Sequence, residues 1–234
     1  MKTFRALSAL LCYPSLDLQA AIPAIRDILG EGVVPSSHLS GLDVLLNELE
    51  SRDIYDLQER YVLLFDRSRT LSLNLFEHIH GESRDRGGAM VDLLETYRAG
   101  GFDLVGPELP DHLPVLLEFL STRPLDEARA ILADAGHILV ALGERLKRRD
   151  SSYAPVLAAL VAIAEATPAS DAAQALLSEV DDDPEDLAAL DAVWEEAQVT
   201  FGPDPNAGCP VGRDILARMD MPPARAANPA PAAK

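Results

Sequence analysis

Residues 72–94 read SLNLFEHIHGESRDRGGAMVDLL, and the secondary structure assigned to this stretch decides both fold and chemistry. Two histidines and two glutamates fall within EHIHGE, followed at once by Arg84, Asp85 and Arg86. On a strand, His78, His80 and Glu82 alternate onto one face and can bind a metal ion together, with Leu73, Leu75 and Ile79 opposite. On a helix, His78 and His80 lie about 200° apart and cannot share an ion. Ile79 is the only β-branched residue between Ser72 and His80, and the chain around it has helical spacing, so the helix is the better reading. His80 then joins Leu73, Phe76 and Ile79 on the apolar arc, and His78 joins Asn74 and Glu82 on the polar side. This predicts a buried, hydrogen-bonded His80, a solvated or partner-facing His78, and no metal site.

Catalytic readings of the same stretch are weaker still. A quarter of the chain is charged, so carboxylates close to a histidine in sequence carry little weight. Ser83 lacks the strand–turn–helix elbow of a serine hydrolase. RGGAM lies inside a helical pattern and does not form a phosphate-cradling loop, so Gly87-Gly88 is read as permitting close helix packing. The expectation is a protein that is not an enzyme.

Helical periodicity extends outward in both directions. Phe4, Leu7, Leu10 and Leu11 share a face before Pro14, and a second segment runs from about Ser15 to Leu29. Ile54, Leu57, Tyr61, Leu64 and Phe65 line a helix over about 52–67, and Met90, Leu93, Leu94 and Tyr97 line another that ends at the AGG of 99–101. Leu113, Leu116, Leu117 and Leu120 line a helix that stops at Arg123-Pro124. One long helix is expected over about 125–149, with others over about 153–166, 170–180 and 184–199. Asp183 as cap and Pro184 at the first helical position mark the start of the last. The expected fold is all-α: a single-domain bundle of about ten helices over 1–201, then a Pro/Ala-rich, disordered tail over 202–234.

Composition agrees with that class. The 234 residues are 48% hydrophobic but only 5% aromatic, and the apolar set is mostly Ala and Leu, which enter helices at little cost. Thirty-eight acidic residues against 20 basic give a formal charge of −18. Such a surface repels nucleic acid and anionic lipid and attracts basic protein segments, so neither nucleic acid binding nor stable membrane association is expected. Cys12 and Cys209 are too few and too far apart for a disulfide framework or a structural zinc site. With no secretory leader or membrane span expected, the predicted location is the cytoplasm. The basic cluster LGERLKRRD (142–150) is read as a solvated helix end.

ELPDHLPVLLEFL (108–120) is the second unusual segment. Asp111 is a plausible helix cap, and Asp111 and Glu118 fall seven apart on nearly one face. His112, Val115 and Phe119 add a stripe beside the leucines. The helix is therefore either central and buried, or shared with a partner across an acid-edged apolar groove suited to a basic amphipathic helix.

Residues 61–104, YVLLFDRSRTLSLNLFEHIHGESRDRGGAMVDLLETYRAGGFDL, together with 108–120, closely resemble the delta-subunit family of respiratory nitrate reductases, the NarJ-type assembly chaperones. Pro110-Asp111-His112 matches an acidic element of the wider group of molybdoenzyme chaperones. The resemblance implies a chaperone that binds the basic, amphipathic N-terminal segment of the catalytic alpha subunit. It would support molybdenum cofactor insertion before membrane attachment, with cofactor biosynthesis proteins as further partners. No cofactor is held permanently; molybdopterin guanine dinucleotide belongs to the client. Carried over residue by residue, Tyr61, Phe65, His78, Asp111, His112, Val115, Glu118 and Phe119 become client-contact candidates. Asp66, Arg67, Glu77, His80, Gly81, Glu82, Arg84, Asp85 and Arg86 are motif positions, with Arg84 and Arg86 expected to pair with Asp66, Asp85 or Glu77. The rival readings are an adaptor for another basic helix and a small metal-dependent hydrolase built on EHIHGE.

Overall fold

A computed structural model describes residues 1–181, apart from 82, 168 and 169 and the side chain of Arg84. The expected final helix with its Asp183 cap, the boundary near 201, the tail and Cys209 all lie outside the described residues, as does Glu82. The described part belongs to one compact unit, Met1–Leu190.

Its architecture is all-α. Eleven helices follow one another: α1 Lys2–Leu10, α2 Leu16–Leu29, α3 Ser36–Ser51, α4 Ile54–Tyr61, α5 Glu77–His80, α6 Arg84–Ala99, α7 Leu113–Ser121, α8 Leu125–Asp134, α9 Gly136–Arg148, α10 Ala154–Ala164 and α11 Asp171–Leu177. Pairing of α1 with α7 and of α9 with α10 forms the centre, with α2 and α3 against one side and α8 and α11 against another. Phe4, Leu7, Leu10 and Leu11 are fully buried, as their spacing predicts. The Ser15 side chain accepts a hydrogen bond from Leu18 N–H and so caps α2. In α10, Val156, Leu157, Ala159, Leu160 and Ile163 are buried on one broad face, while Ala158 on the other side is exposed.

Four expectations change. Helix α3 was not anticipated, because its leading SSHLSG hides the Leu42, Leu45, Leu46 and Leu49 stripe that it buries. The long helix over 125–149 is two helices, broken at Ala135. Gly136 sits there because a Cβ would come 2.7 Å from the Cβ of Ala166, so only glycine lets these backbones approach. Gly87 and Gly88 pack against nothing, since a Cβ at either would meet no atom within 4 Å; nothing in the structure explains them. The 142–150 cluster is not simply a solvated helix end. Arg145 is fully buried, donating to the carbonyls of Thr70 (2.9 Å) and Leu176 (2.6 Å) and pairing with Asp181 at 2.9 Å. It ties α9 to the chain on both sides, whereas Lys147 and Arg148 stay exposed.

The stretch that decided the fold is neither strand nor continuous helix. A π-helical turn over Val62–Asp66 extends α4, and a 3-10 turn covers Arg69–Leu71. Asn74 forms an isolated bridge, flanked by buried Leu73 and Leu75. Helix begins only at Glu77 and ends at Gly81, whose φ of +53° with ψ of −128° is a conformation that favours glycine.

Candidate functional site

The two motifs are separated in sequence and joined in space. Leu75 N–H donates to Asp111 C=O (3.0 Å) and Leu113 N–H to Leu73 C=O (2.8 Å), an antiparallel bridge centred on Asn74 and His112. These bonds satisfy backbone groups that a helix over 72–76 would have used internally, which is why the bridge replaces helix there.

Asp111 locks this junction. Its carboxylate is fully buried, accepts from Phe76 N–H at 3.0 Å and lies 3.9 Å from the Arg86 guanidinium. Burial pushes its pKa up, against the pull of Phe76 N–H and Arg86. Two expectations are corrected. Asp111 is not the cap of α7, whose N-cap is His112 with no side-chain bond. Nor does Asp111 present its carboxylate to an external cation, because the side chain is fully buried. Arg86 donates to Glu77 at 3.0 Å, one of the pairings expected for it, and adds the contact to Asp111.

Around the bridge opens a groove of about 550 Å³. Tyr61, Cys12 and Tyr13 wall one side, and Pro114, Val115 and Glu118 of α7 form another. Asp66, Asp103, Glu108 and His112 complete the polar lining, with Phe102, Leu104 and Val105 as an apolar lip. Asp66, Asp103, Glu108 and Glu118 are exposed, and among the described residues no Lys or Arg lines the groove. With the low-dielectric wall of α7 behind them, the four acids focus a negative potential into an apolar-walled cleft. A polar annex of about 120 Å³ continues from it past Phe65, Ser72 and Asn74. A larger cleft, about 760 Å³, opens between α3, α9 and α10, but no motif residue lines it.

His112 occupies the floor. Burial lowers its pKa from 6.5, outweighing the opposing pull of Glu108, Asp111 and Asp66. Its Nδ1 lies 3.6 Å from Glu108 Oε2. Burial raises the pKa of Asp66. The pKa of the Cys12 thiol is pushed up by burial and then by Glu118, which disfavours the thiolate.

Of the other candidates, Phe119 is only 2% exposed, packed on Tyr97 (4.7 Å between centroids) and Phe102, with the Arg123 guanidinium 5.3 Å from its ring. It is core, and the expected contact surface falls to Val115 beside it. Phe65 packs between Tyr61 and Tyr153 and shows only an edge to the annex. Both histidines are half-buried, and the hydrogen bond expected of His80 belongs to His78. His78 Nε2 makes a 2.8 Å hydrogen bond with the Ser72 carbonyl, and burial lowers its pKa. His80 is half-buried against the edge of Phe76, and Ile79 beside it is 51% exposed. Asp85 is exposed, and Arg67 faces a separate hollow. Among the described residues no cluster of metal-ligating side chains is assembled.

Sequence reasoning had missed Cys12, Tyr13, Asp103 and Glu108 as groove residues. They lie in turns, where periodicity is silent; the signals available were the Tyr-Pro at the end of α1 and the glutamate opening ELPDH.

The sequence profile of the nitrate reductase delta subunit family matches residues 17–159. The nitrate reductase molybdenum cofactor assembly chaperone NarJ of Escherichia coli K12 is 44% identical over 204 residues, 86% of each chain. The probable chaperone NarW of the same organism is 45% identical over 163 residues, 70% of each. A probable NarJ of Bacillus subtilis is 32% identical over 166 residues, 70% of this chain and 88% of its own. The chain belongs to the nitrate reductase delta subunit family.

Proposed function

We propose that this protein is a system-specific chaperone for a respiratory nitrate reductase. It binds the basic, amphipathic N-terminal segment of the catalytic alpha subunit in the acid-lined groove, in the cytoplasm, and promotes molybdenum cofactor insertion before the enzyme attaches to the membrane. The observation that carries this reading is the groove itself: four exposed acids beside apolar wall residues, drawn from both motifs, with no Lys or Arg lining it among the described residues. The relatives' names supply the system, nitrate reductase and its molybdenum cofactor.

Each element has a role. Glu118, Glu108, Asp103 and Asp66 pair with client Lys or Arg, while Val115, Tyr61 and the Phe102–Val105 lip take the apolar face of the client helix. His112 sets the charge of the floor. Asp111, Arg86, Glu77 and His78 hold the junction that shapes the groove. The chaperone keeps no cofactor of its own; molybdopterin guanine dinucleotide is the client's, and proteins of its biosynthesis are further partners. Among the described residues no helix is long and apolar enough to cross a membrane.

Calorimetric titration with a peptide of the alpha-subunit N-terminus tests this. Micromolar or tighter binding that weakens with salt is expected. Equal affinity for unrelated basic amphipathic helices would favour a general adaptor, and no binding would overturn the assignment of the groove.

A further inference from the structure

The loop between α6 and α7 borders the groove and is fixed only at its two feet. Fully buried Tyr97 holds both: its carbonyl accepts from Phe102 N–H at 2.9 Å, and its Oη donates to the carbonyl of Pro110 at 2.7 Å. Arg123 Nη2 donates to the Gly100 carbonyl at 2.6 Å, and the Phe102 ring meets Tyr97 edge-on at 5.6 Å. Leu104 still rests against the core. Beyond it the chain is unsupported. Among the described residues, no group of Val105-Gly106-Pro107-Glu108 makes a hydrogen bond. A Cβ on Gly106 would meet no atom nearer than 3.9 Å, and Val105 is 93% exposed at the rim of an apolar-walled groove. A segment with few buried contacts and no hydrogen bonds rearranges at low cost.

We propose that residues 105–108 form a flap that stands open in the client-free protein and closes once client cations neutralise the groove acids, pressing Val105 onto the bound segment; the inference rests on the groove reading above. Charge holds the flap open. Glu108 at its end shares the groove with Asp66, Asp103 and Glu118, and among the described residues no Lys or Arg lines it. The ionisable group beside Glu108 is His112, whose Nδ1 lies 3.6 Å from Oε2. Moving Glu108 inward without a client brings carboxylates together and raises their repulsion. The client removes that repulsion and offers Val105 an apolar surface, so it favours the closed form by two separate interactions. Tyr97 keeps both feet in place, which confines the motion to four residues and leaves the helices unchanged. The acids then govern encounter with the client, and Val105 governs how long it stays.

The test is methyl NMR of the full chain with isotope-labelled valine, free and saturated with the alpha-subunit N-terminal peptide, together with stopped-flow kinetics of the wild type and Val105→Ser. The Val105 methyl signals, assigned by comparison with Val105→Ile, should be those of a mobile, solvated side chain in the free protein. On saturation they should become ordered and show cross-relaxation to the peptide. Glu108→Gln should move them part of the way without peptide. Val105→Ser should release the peptide about tenfold faster, with association rate and melting temperature close to wild type. If the wild type binds in a salt-dependent way while the methyl signals, or the release rate of Val105→Ser, stay unchanged, the flap is overturned and the groove stands. Signals unmoved in free Glu108→Gln would overturn the electrostatic opening. Failure of the wild type to bind would overturn both flap and groove.

Discussion

Two regions of this protein treat charge in opposite ways. At the C-terminal end of α9, the buried Arg145 is matched by Asp181 at 2.9 Å, Glu179 at 3.6 Å and two backbone carbonyls, and Arg148 reaches the same Asp181. In the groove, Asp66, Asp103, Glu108 and Glu118 share a cleft with no Lys or Arg in its lining among the described residues. A charge taken out of water must be compensated inside the fold, so the first arrangement is architecture. Exposed acids collected without cations repel one another and add nothing to stability, which makes the second arrangement a site waiting for an external cation. The comparison separates residues that hold the fold from residues available to a partner, even within one motif. Asp111 and Glu118, seven apart on the sequence, fall on opposite sides of that division.

The largest effect should come from the architectural side. Arg145→Ala leaves two buried carbonyls without their donor and Asp181 with only its Arg148 contact, and should cost about 3 kcal/mol in chemical denaturation, with client affinity of the folded fraction unchanged. An affinity loss without a stability loss would erase the distinction between the regions. Asp111→Ala should also act on stability, by about 1–3 kcal/mol, because Phe76 N–H loses its acceptor inside the junction. Arg86→Ala should be milder, about 1 kcal/mol, because its pair with Glu77 is partly exposed.

The protonation equilibria sharpen the comparison from the site side. His112 has a pKa held below 6.5 by burial, so its neutral form is favoured in the fold, and the stability this contributes is present above 6.5 and lost as pH falls through the folded value. His78 behaves in the same direction. For binding, protonating His112 places a cation beside Glu108, Asp66 and Asp111 and competes with the client. The raised pKa of Asp66 removes an acid as pH falls further. Client affinity should therefore decrease as pH falls below 6.5 and through the folded value of His112, and His112→Gln should flatten the upper part of that profile. Affinity that rises on acidification would contradict the placement of His112 in the floor. The structural counterpart has the opposite sign: Asp111, with its raised pKa, adds stability below 3.8 that is lost as pH rises through its folded value.

Much of the fold was legible because the stripes of α1, α2, α4, α7 and α10 are built of Leu at helical spacing, and spacing is what periodicity reads. The breaks were not. The end of α8 at Ala135 depends on Gly136 meeting Ala166, a contact between residues thirty apart. The bridge at Asn74 depends on bonds to Asp111 and Leu113, which no local propensity encodes. In the site, Val115 and Glu118 were placed in the groove by position on α7. Asp111 and Phe119 were assigned outward because seven-residue spacing indicates a shared face without saying which side of the helix is covered. The hydrogen bond was assigned to His80 and not His78 for the same reason, since the helix that would have ordered them starts only at Glu77.

The most direct test of the groove is the salt dependence of client binding to the wild type and to a Glu108→Gln, Glu118→Gln double variant, measured by calorimetry with the alpha-subunit N-terminal peptide. The account predicts that the double variant melts like the wild type and binds about tenfold more weakly at low salt, with the two affinities converging at high salt. Equal affinities and equal salt slopes for the two proteins would contradict it, and would place the client on another surface of the molecule.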